Sequence, residues 1–322
     1  MIGFGQMAYS YSLNKEYSSE IKFASHSQAL SFNNRLDWDS VVDPDTSALE
    51  EAKESLDIKH TFKAAKDIPD KDSVEIVVFS CPPSVDKIAI LELFPNIKGI
   101  VLEKPLSNSL DQVSSLREYL KIRKIKAQVS FLRRGDEFIS SLSNKGLEDY
   151  IGEPINAQII YGNGIRNNGS HMIDLTRILL GEVKAVLFSK SSTISNSSLE
   201  GDENRTFILE MQDQTLVSGF PLNFKNYREN SLDIWGNKGR IAFTQEGSYF
   251  QHWTTRESRF GLGFKEIDWS SPKIGKTNIG NSLDILYRNL ILHIETNEPL
   301  VSSLDSAIKT ENLLYEILNF KS

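Results

Sequence analysis

The strongest constraint on this chain is a change of rhythm near residue 130. Before it, apolar runs of strand length alternate with stretches of helical periodicity. Trp38 to Val42 is a strand candidate, followed by a helical stretch from Ser47 to Leu56. Val74 to Ser80 is apolar except for Glu75, the pattern of a strand covered on both faces. Pro82-Pro83 ends it. A helical stretch from Val85 to Phe94, a short buried strand Gly99 to Leu102, a helix Leu110 to Ile122 and a strand Ala127 to Phe131 follow. Such alternation predicts an α/β fold with a doubly wound parallel sheet over residues 1–130.

Beyond that point strand-like segments succeed one another: Ile155 to Tyr161, Ala185 to Ser189, Thr206 to Met211, Leu216 to Phe220, Ser231 to Trp235 and Arg240 to Thr244. Asp213-Gln214 and Gly236-Asn237-Lys238-Gly239 are turn signals between them. Helices are expected at Asp136 to Ser143, at Ser170 to Leu180 with Gly181 as C-cap, and over Ser282 to Thr296 and Leu304 to Phe320. Residues 131–322 therefore read as a second, α+β domain with a mostly antiparallel open sheet. The polar, Ser-rich run from Ser191 to Asn204 reads as a surface loop.

Charge and composition exclude several classes. A net charge of −7 over 322 residues argues against a general nucleic-acid or anionic-membrane binder, which needs dense positive charge. The one basic run, Lys121 to Lys126, falls at a helix end, where it complements the dipole. A single cysteine, Cys81, builds neither a disulfide framework nor a thiolate metal site. His26, His60, His252 and His293 show no paired ligand spacing, so no metal is expected. No stretch reaches the roughly 18 apolar residues of a membrane span, and the start lacks a signal-peptide layout, so the expected compartment is the cytoplasm.

Three places carry candidate chemistry. Gly3-Phe4-Gly5-Gln6-Met7-Ala8 fits the G-x-G-x-x-A dinucleotide fingerprint, in which glycines let the backbone approach a pyrophosphate and a helix N-terminus receives its charge. Asp43, at the end of the second strand, would accept hydrogen bonds from the adenosine ribose and repel a 2′-phosphate, favouring NAD without excluding NADP. Asp43 lies 38 residues after Gly5 rather than the usual ~20. Only Met1 and Ile2 precede the glycines, so the central strand is either shortened or begins upstream of Met1. Lys104 leaves the strand ending at Leu102, where parallel sheets bind ligands; it polarises a substrate oxygen or is simply a solvated strand-end lysine. His171 and Asp174 share one face at the start of a helix. A first-turn histidine is favoured neutral and suits a general base, although a capping or core histidine has the same pattern.

Taken together, in this order, the glycine loop, Ser80-Cys81-Pro82-Pro83, Glu103-Lys104-Pro105, Phe131-Leu132-Arg133-Arg134 and Gly169-x-His171-x-x-Asp174 before Leu-Leu-Gly resemble the Gfo/Idh/MocA family of glucose–fructose oxidoreductase and inositol dehydrogenase-like enzymes. The resemblance runs nearly end to end, through Glu298-Pro299-Leu300-Val301-Ser302-Ser303 and the helix containing Ala307. It implies a Rossmann-type first domain and hydride transfer between a nicotinamide and a hydroxyl-bearing carbon of a sugar, nucleotide-sugar or cyclitol. In that reading Gly3, Phe4, Gly5, Gln6, Met7, Asp43, Ser80, Cys81, Pro82, Pro83, Glu103 and Lys104 line the NAD site, with Glu103 and Pro82-Pro83 bordering the nicotinamide. Lys104 orients the substrate and lowers the effective pKa of its hydroxyl, and His171 takes the proton. Arg133 or Arg134 binds a phosphate or sugar group, and Asp174 orients the helix start rather than reacting.

The chain departs from the family in three places. Asn167 stands where an aspartate is common four residues before the histidine, and an amide neither accepts a proton nor holds an imidazolium by charge. Asp86 stands where a histidine is common. Ile21 to Arg35 looks like the extra helix of one family branch and accounts for the late Asp43. These departures keep a second reading open: a catalytically impaired or non-catalytic nucleotide-binding, regulatory homologue. In either case the resemblance implies a homodimer or homotetramer assembled through the C-terminal sheet.

Overall fold

The computed structural model describes residues 1–322 apart from 57, 144, 145, 195, 196, 262 and 322. The chain divides into two compact units, Met1–Gly135 with Gly280–Ile308 and Asp136–Ile279 with Lys309–Ser322. The elements in chain order begin with α1 (Lys15–Glu20), α2 (His26–Phe32), β1 (Ser40–Val42), α3 (Thr46–Leu56) and β2 (His60–Phe62). They continue with β3 (Ile76–Phe79), α4 (Lys87–Leu91), β4 (Gly99–Leu102), α5 (Leu110–Arg123) and β5 (Lys126–Val129). Next come α6 (Glu137–Leu142), α7 (Gly146–Ile151), β6 (Pro154–Gly162), α8 (Ser170–Leu180), β7 (Val183–Ser191), β8 (Arg205–Met211) and β9 (Leu216–Leu222). The last are β10 (Ser231–Gly236), β11 (Gly239–Thr244), β12 (Tyr249–Glu257), β13 (Lys265–Ile267), β14 (Lys273–Lys276), α9 (Ser282–Thr296) and α10 (Leu304–Asn319).

In the first unit the parallel pairs β1–β2 and β3–β4–β5 are joined through a single residue. Ile2 bridges in parallel to both Val42 and Phe79. Ile2 donates its N–H to Val78 O (2.8 Å), Ser80 donates to Ile2 O (2.9 Å), Gly3 to Val42 O and Val42 to Met1 O (both 2.8 Å). The short first strand thus holds the central place in the sheet, with the order β2–β1–Ile2–β3–β4–β5. Alternation divides its side chains. Val78 and Val101 face Phe23 and Leu30 at the α2 end and Leu283, Tyr287 and Leu290 of α9. Val77, Phe79, Ile100, Leu102, Ala127 and Val129 pack with Leu91 of α4 and Leu116 of α5.

The division differs from a single cut after residue 130. Residues 280–308 return to the first unit, because α9 supplies one of the two helices on that sheet face. Ser303 then bridges antiparallel to Gln128, and Val129 donates to Ser302 O at 2.9 Å. The helix expected at the glycine loop is also different. Residues 5–9 form an irregular turn, a 3-10 helix spans Ser10–Leu13, and the Asn14 side chain accepts from Tyr17 N–H (3.0 Å), starting a new, short α1. The sheet-facing helix of this region is α2, which buries Ala29 and Leu30.

The second unit is built on a sheet of order β13-β12-β11-β10-β6-β9-β8-β7, with β14 also pairing β12. All pairs are antiparallel except β6–β9. Ala157, Ile159, Tyr161, Phe207, Leu209, Leu232, Ile234 and Phe243 turn to one face, where Met172, Ile173 and Leu175 of α8 and Leu314 and Ile317 of α10 cover them. Leu216 and Phe220 point to the other face and are exposed.

Candidate active site

The glycine loop is fitted against the turn after β3. Gly3 has φ +88°, and a Cβ there would stand 2.2 Å from Ser80 O and 3.1 Å from Cys81 Cα, so only glycine fits. Gly3→Ala is expected to destabilise by about 2–3 kcal/mol and weaken NADH binding at least tenfold, read by thermal unfolding and fluorescence titration. Phe4 is buried on Tyr9, with ring centroids 5.1 Å apart, and its N–H donates to Asp43 Oδ2 at 2.8 Å. Asp43 Oδ1 accepts from Asp45 N–H (2.9 Å), so the carboxylate is fixed between the loop and its own turn.

Gly5 and Gln6 are exposed, and a Cβ at Gly5 would meet nothing within 4 Å. The N–H groups of Gly5, Gln6 and Met7 donate to no group among the described residues. Open backbone donors beside a glycine without neighbours, with a fixed carboxylate adjacent, fit the pyrophosphate and ribose of a dinucleotide. The fit rests on turn N–H groups rather than on a regular helix N-terminus.

Ser80 and Cys81 lead into the Pro82-Pro83 turn, closed by Val85 N–H on Pro82 O at 3.1 Å. Burial pushes the Cys81 thiol up, partly countered by the Lys87 ammonium, so it remains a thiol at neutral pH and a poor nucleophile. Asp86 caps α4 by accepting from Ala89 N–H (3.1 Å). Glu103 donates its N–H to Phe79 O (3.0 Å), carrying the strand pairing one residue past β4. Lys104 follows, half-buried, ahead of buried Pro105 and Leu106. Arg133 and Arg134 lie on a 3-10 helix, Leu132–Gly135; Arg133 is buried and Arg134 half-buried, so Arg134 is the more open of the two.

In the second unit the helix start is not where the spacing places it. A π-helical turn, Ile165–Gly169, runs straight into α8, and Gly169 keeps helical angles (φ −56°, ψ −35°). Half-buried His171 is therefore inside a continuous helical stretch, and the first-turn potential argued for it belongs farther upstream. At that upstream end Asp202 accepts N–H bonds from Arg166 (3.1 Å) and Asn167 (3.0 Å), while burial pushes its carboxyl up. Asn167 Nδ2 donates to Ser198 Oγ at 3.0 Å. The described part of the Ser-rich run is a surface loop, as expected, and it is docked on the turn carrying Asn167. Asp174 is fully buried. Its Oδ1 takes a hydrogen bond from Thr310 Oγ1 (2.9 Å) and lies 3.4 Å from Arg177 Nη1, the place of a residue that holds helices together.

Gly3, Phe4, Asp43, Ser80, Cys81, Glu103 and Lys104 thus gather in the first unit at the C-terminal ends of its parallel strands, and Asn167, His171 and Asp174 in the second. His26, Tyr287 and Asp202 were not anticipated. They act through contacts 77 to 261 residues away (His26, Tyr287) or through a turn that periodicity does not mark (Asp202).

Residues 1–131 match the model of a family described as an oxidoreductase family with an NAD-binding Rossmann fold. No curated protein sequence matches the chain. Among solved structures, levoglucosan dehydrogenase in complex with NADH and L-sorbose is similar at TM-score 0.73 and 16% identity, covering 98% of this chain and 94% of that one. The WlbA dehydrogenase from Bordetella pertussis, in complex with NADH and UDP-GlcNAcA, gives TM-score 0.70 at 14% identity over 98% and 94%. A super-repressor mutant of Gal80p from Saccharomyces cerevisiae gives 0.73 at 15% over 98% and 95%. At these identities the likeness establishes the fold along the whole chain.

Proposed function

We propose that this chain, whose residues 1–131 are the NAD-binding Rossmann domain of the Gfo/Idh/MocA oxidoreductase family, is a dehydrogenase or reductase acting on a sugar, nucleotide-sugar or cyclitol. The observation that carries the reading is Glu103-Lys104 leaving the C-terminal end of β4, in the same sheet as the glycine loop and Asp43. The loop N–H groups of Gly5, Gln6 and Met7 hold the pyrophosphate, Asp43 the adenosine ribose, and Pro82, Pro83 and Glu103 border the nicotinamide. Bound NAD supplies the hydride acceptor, or as NADH the donor. In the oxidative direction the Lys104 ammonium would hydrogen-bond and polarise the substrate oxygen; within the second unit His171 is the candidate general base. Arg134 or Arg133 holds a phosphate or sugar group. The L-sorbose and UDP-GlcNAcA bound by the similar enzymes support a polyhydroxylated substrate. A homodimer or homotetramer through the exposed sheet face and a cytoplasmic location belong to the same reading; a monomer in sedimentation counts against the assembly. Among the described residues, no helix is long and apolar enough to cross a membrane.

Titration of the chain with NADH and NADPH, followed by a polyol and nucleotide-sugar screen, tests this directly. NADH is expected to bind at least about tenfold more tightly than NADPH, since Asp43 repels a 2′-phosphate. Binding of neither removes the reading. The second reading, a regulatory or catalytically impaired homologue, is supported by Asn167 in place of a carboxylate and by the likeness to Gal80p. NADH binding without turnover of any polyol favours it.

A further inference from the structure

His26, which no motif singles out, ties the glycine loop to the catalytic turn. It is fully buried (0% exposed) at the first position of α2. Its backbone N–H donates to Met7 O, and that of Ser27 to Ala8 O, both at 2.9 Å, so α2 begins against the carbonyls of the glycine loop. Its ring is held at both nitrogens. Nε2 lies 2.9 Å from Glu103 Oε1, and Nδ1 lies 2.7 Å from Tyr287 Oη. Tyr287, on α9, is 1% exposed and meets the imidazole edge to face. Its hydroxyl has no other partner among the described residues.

The hydrogens follow by elimination. Burial, with Glu103 nearby, holds the Tyr287 phenol well above its ordinary range, so it keeps its proton. That proton has only Nδ1 to go to, so Nδ1 is an acceptor and Nε2 carries the ring proton, which it donates to the Glu103 carboxylate. An imidazolium would donate from both nitrogens and leave the buried Tyr287 hydroxyl proton without an acceptor, which is strongly disfavoured. The series Tyr287 to His26 to Glu103 ends in a buried phenol, so it leads no proton to solvent.

We propose that Tyr287 and His26 are positioning residues that fix the orientation of the Glu103 carboxylate, next in the chain to Lys104. Glu103 gives Oε1 to the imidazole and keeps Oε2 for a ligand hydroxyl or carboxamide. The inserted α2 segment couples this carboxylate to the glycine loop. The proposal rests on the reading of Lys104 as the residue that binds the substrate oxygen.

The test uses the full chain labelled with ¹⁵N-histidine. Without cofactor, wild-type His26 is expected as a single neutral tautomer protonated at Nε2. In Tyr287→Phe, Nε2 keeps its proton toward Glu103 but the phenol proton that opposes an imidazolium is gone, so a doubly protonated fraction is expected to appear. With a substrate from the polyol screen, Tyr287→Phe is expected to lower kcat about tenfold, the effect of one ordinary hydrogen bond, with KM and the NADH Kd within about threefold. His26→Gln, whose amide both donates and accepts, is expected to keep most of kcat where His26→Ala does not. Mixed tautomers or an imidazolium in the wild type, or unchanged kcat in Tyr287→Phe, overturns the proposal. The tautomer is read on the apo chain, so its absence overturns the proposal even where dehydrogenase activity is found. Absence of turnover with the tautomer present counts against the dehydrogenase reading alone.

Discussion

Replacing Lys104 with methionine is expected to lower kcat by about 10²–10⁴, the range for losing a positioned proton-transfer or polarising group. Methionine keeps an unbranched apolar stem of nearly the same length and removes the charge and its donors. The backbone stays anchored, because Glu103 N–H bonds Phe79 O at 3.0 Å and Pro105 and Leu106 are buried behind it. NADH affinity is therefore expected within about threefold of wild type, separating chemistry from cofactor binding. Steady-state kinetics with a substrate from the screen and NADH titration measure the two effects. Equal kcat in wild type and variant would return Lys104 to the role of a solvated strand-end lysine. A large loss of NADH affinity with kcat unchanged would make it a cofactor ligand instead.

The second large effect lies in the helix that carries His171. Arg177 is 2% exposed and donates to Thr310 Oγ1 (2.6 Å) and to Glu182 Oε1 and Oε2 (both 3.0 Å), while Asp174 Oδ1 lies 3.4 Å away. Arg177→Met takes the guanidinium from beside a carboxylate that is itself fully buried, and is expected to cost about 3–5 kcal/mol. That corresponds to a fall of roughly 10 °C in the melting temperature. Replacing Asp174 as well, by leucine, is expected to restore much of the loss, since an apolar pair needs no desolvation of charge. Calorimetry on the two variants decides it. A single-variant loss below about 1 kcal/mol would put this pair with weak surface ion pairs. In the same network Asp174, although it belongs to the His-x-x-Asp pattern, is fully buried and accepts from Thr310 of α10.

Much of the architecture was legible because it rests on local chemistry. The apolar runs that became β3 and β4 are continuous because both faces of a parallel strand are covered, and Gly181 ends α8 with φ +83° as a C-cap glycine should. The second domain's alternating strands were read within a residue or two of β6, β8, β10 and β11. Strands β12, β13 and β14 were missed. Tyr249–Glu257 has polar residues on both faces, and only pairing with β11 and β14 makes it a strand.

The sequence by itself marked the parallel strands β1, β3, β4 and β5 (though not β2), the glycines that must turn, and the exit of Lys104 from a strand end where such sheets bind ligands. Each follows from side-chain periodicity or backbone sterics acting over a few residues. Only the tertiary structure decided that one residue, Ile2, suffices for the central strand, since its support comes from Val42 and Phe79 on either side. It likewise decided that residues 280–308 complete the first unit, that Asp202 supports the turn before His171, and that His26 and Tyr287 hold Glu103. These are pairings between distant segments, where a hydrogen bond depends on where two backbones end up and leaves no period in the chain that folds to make it.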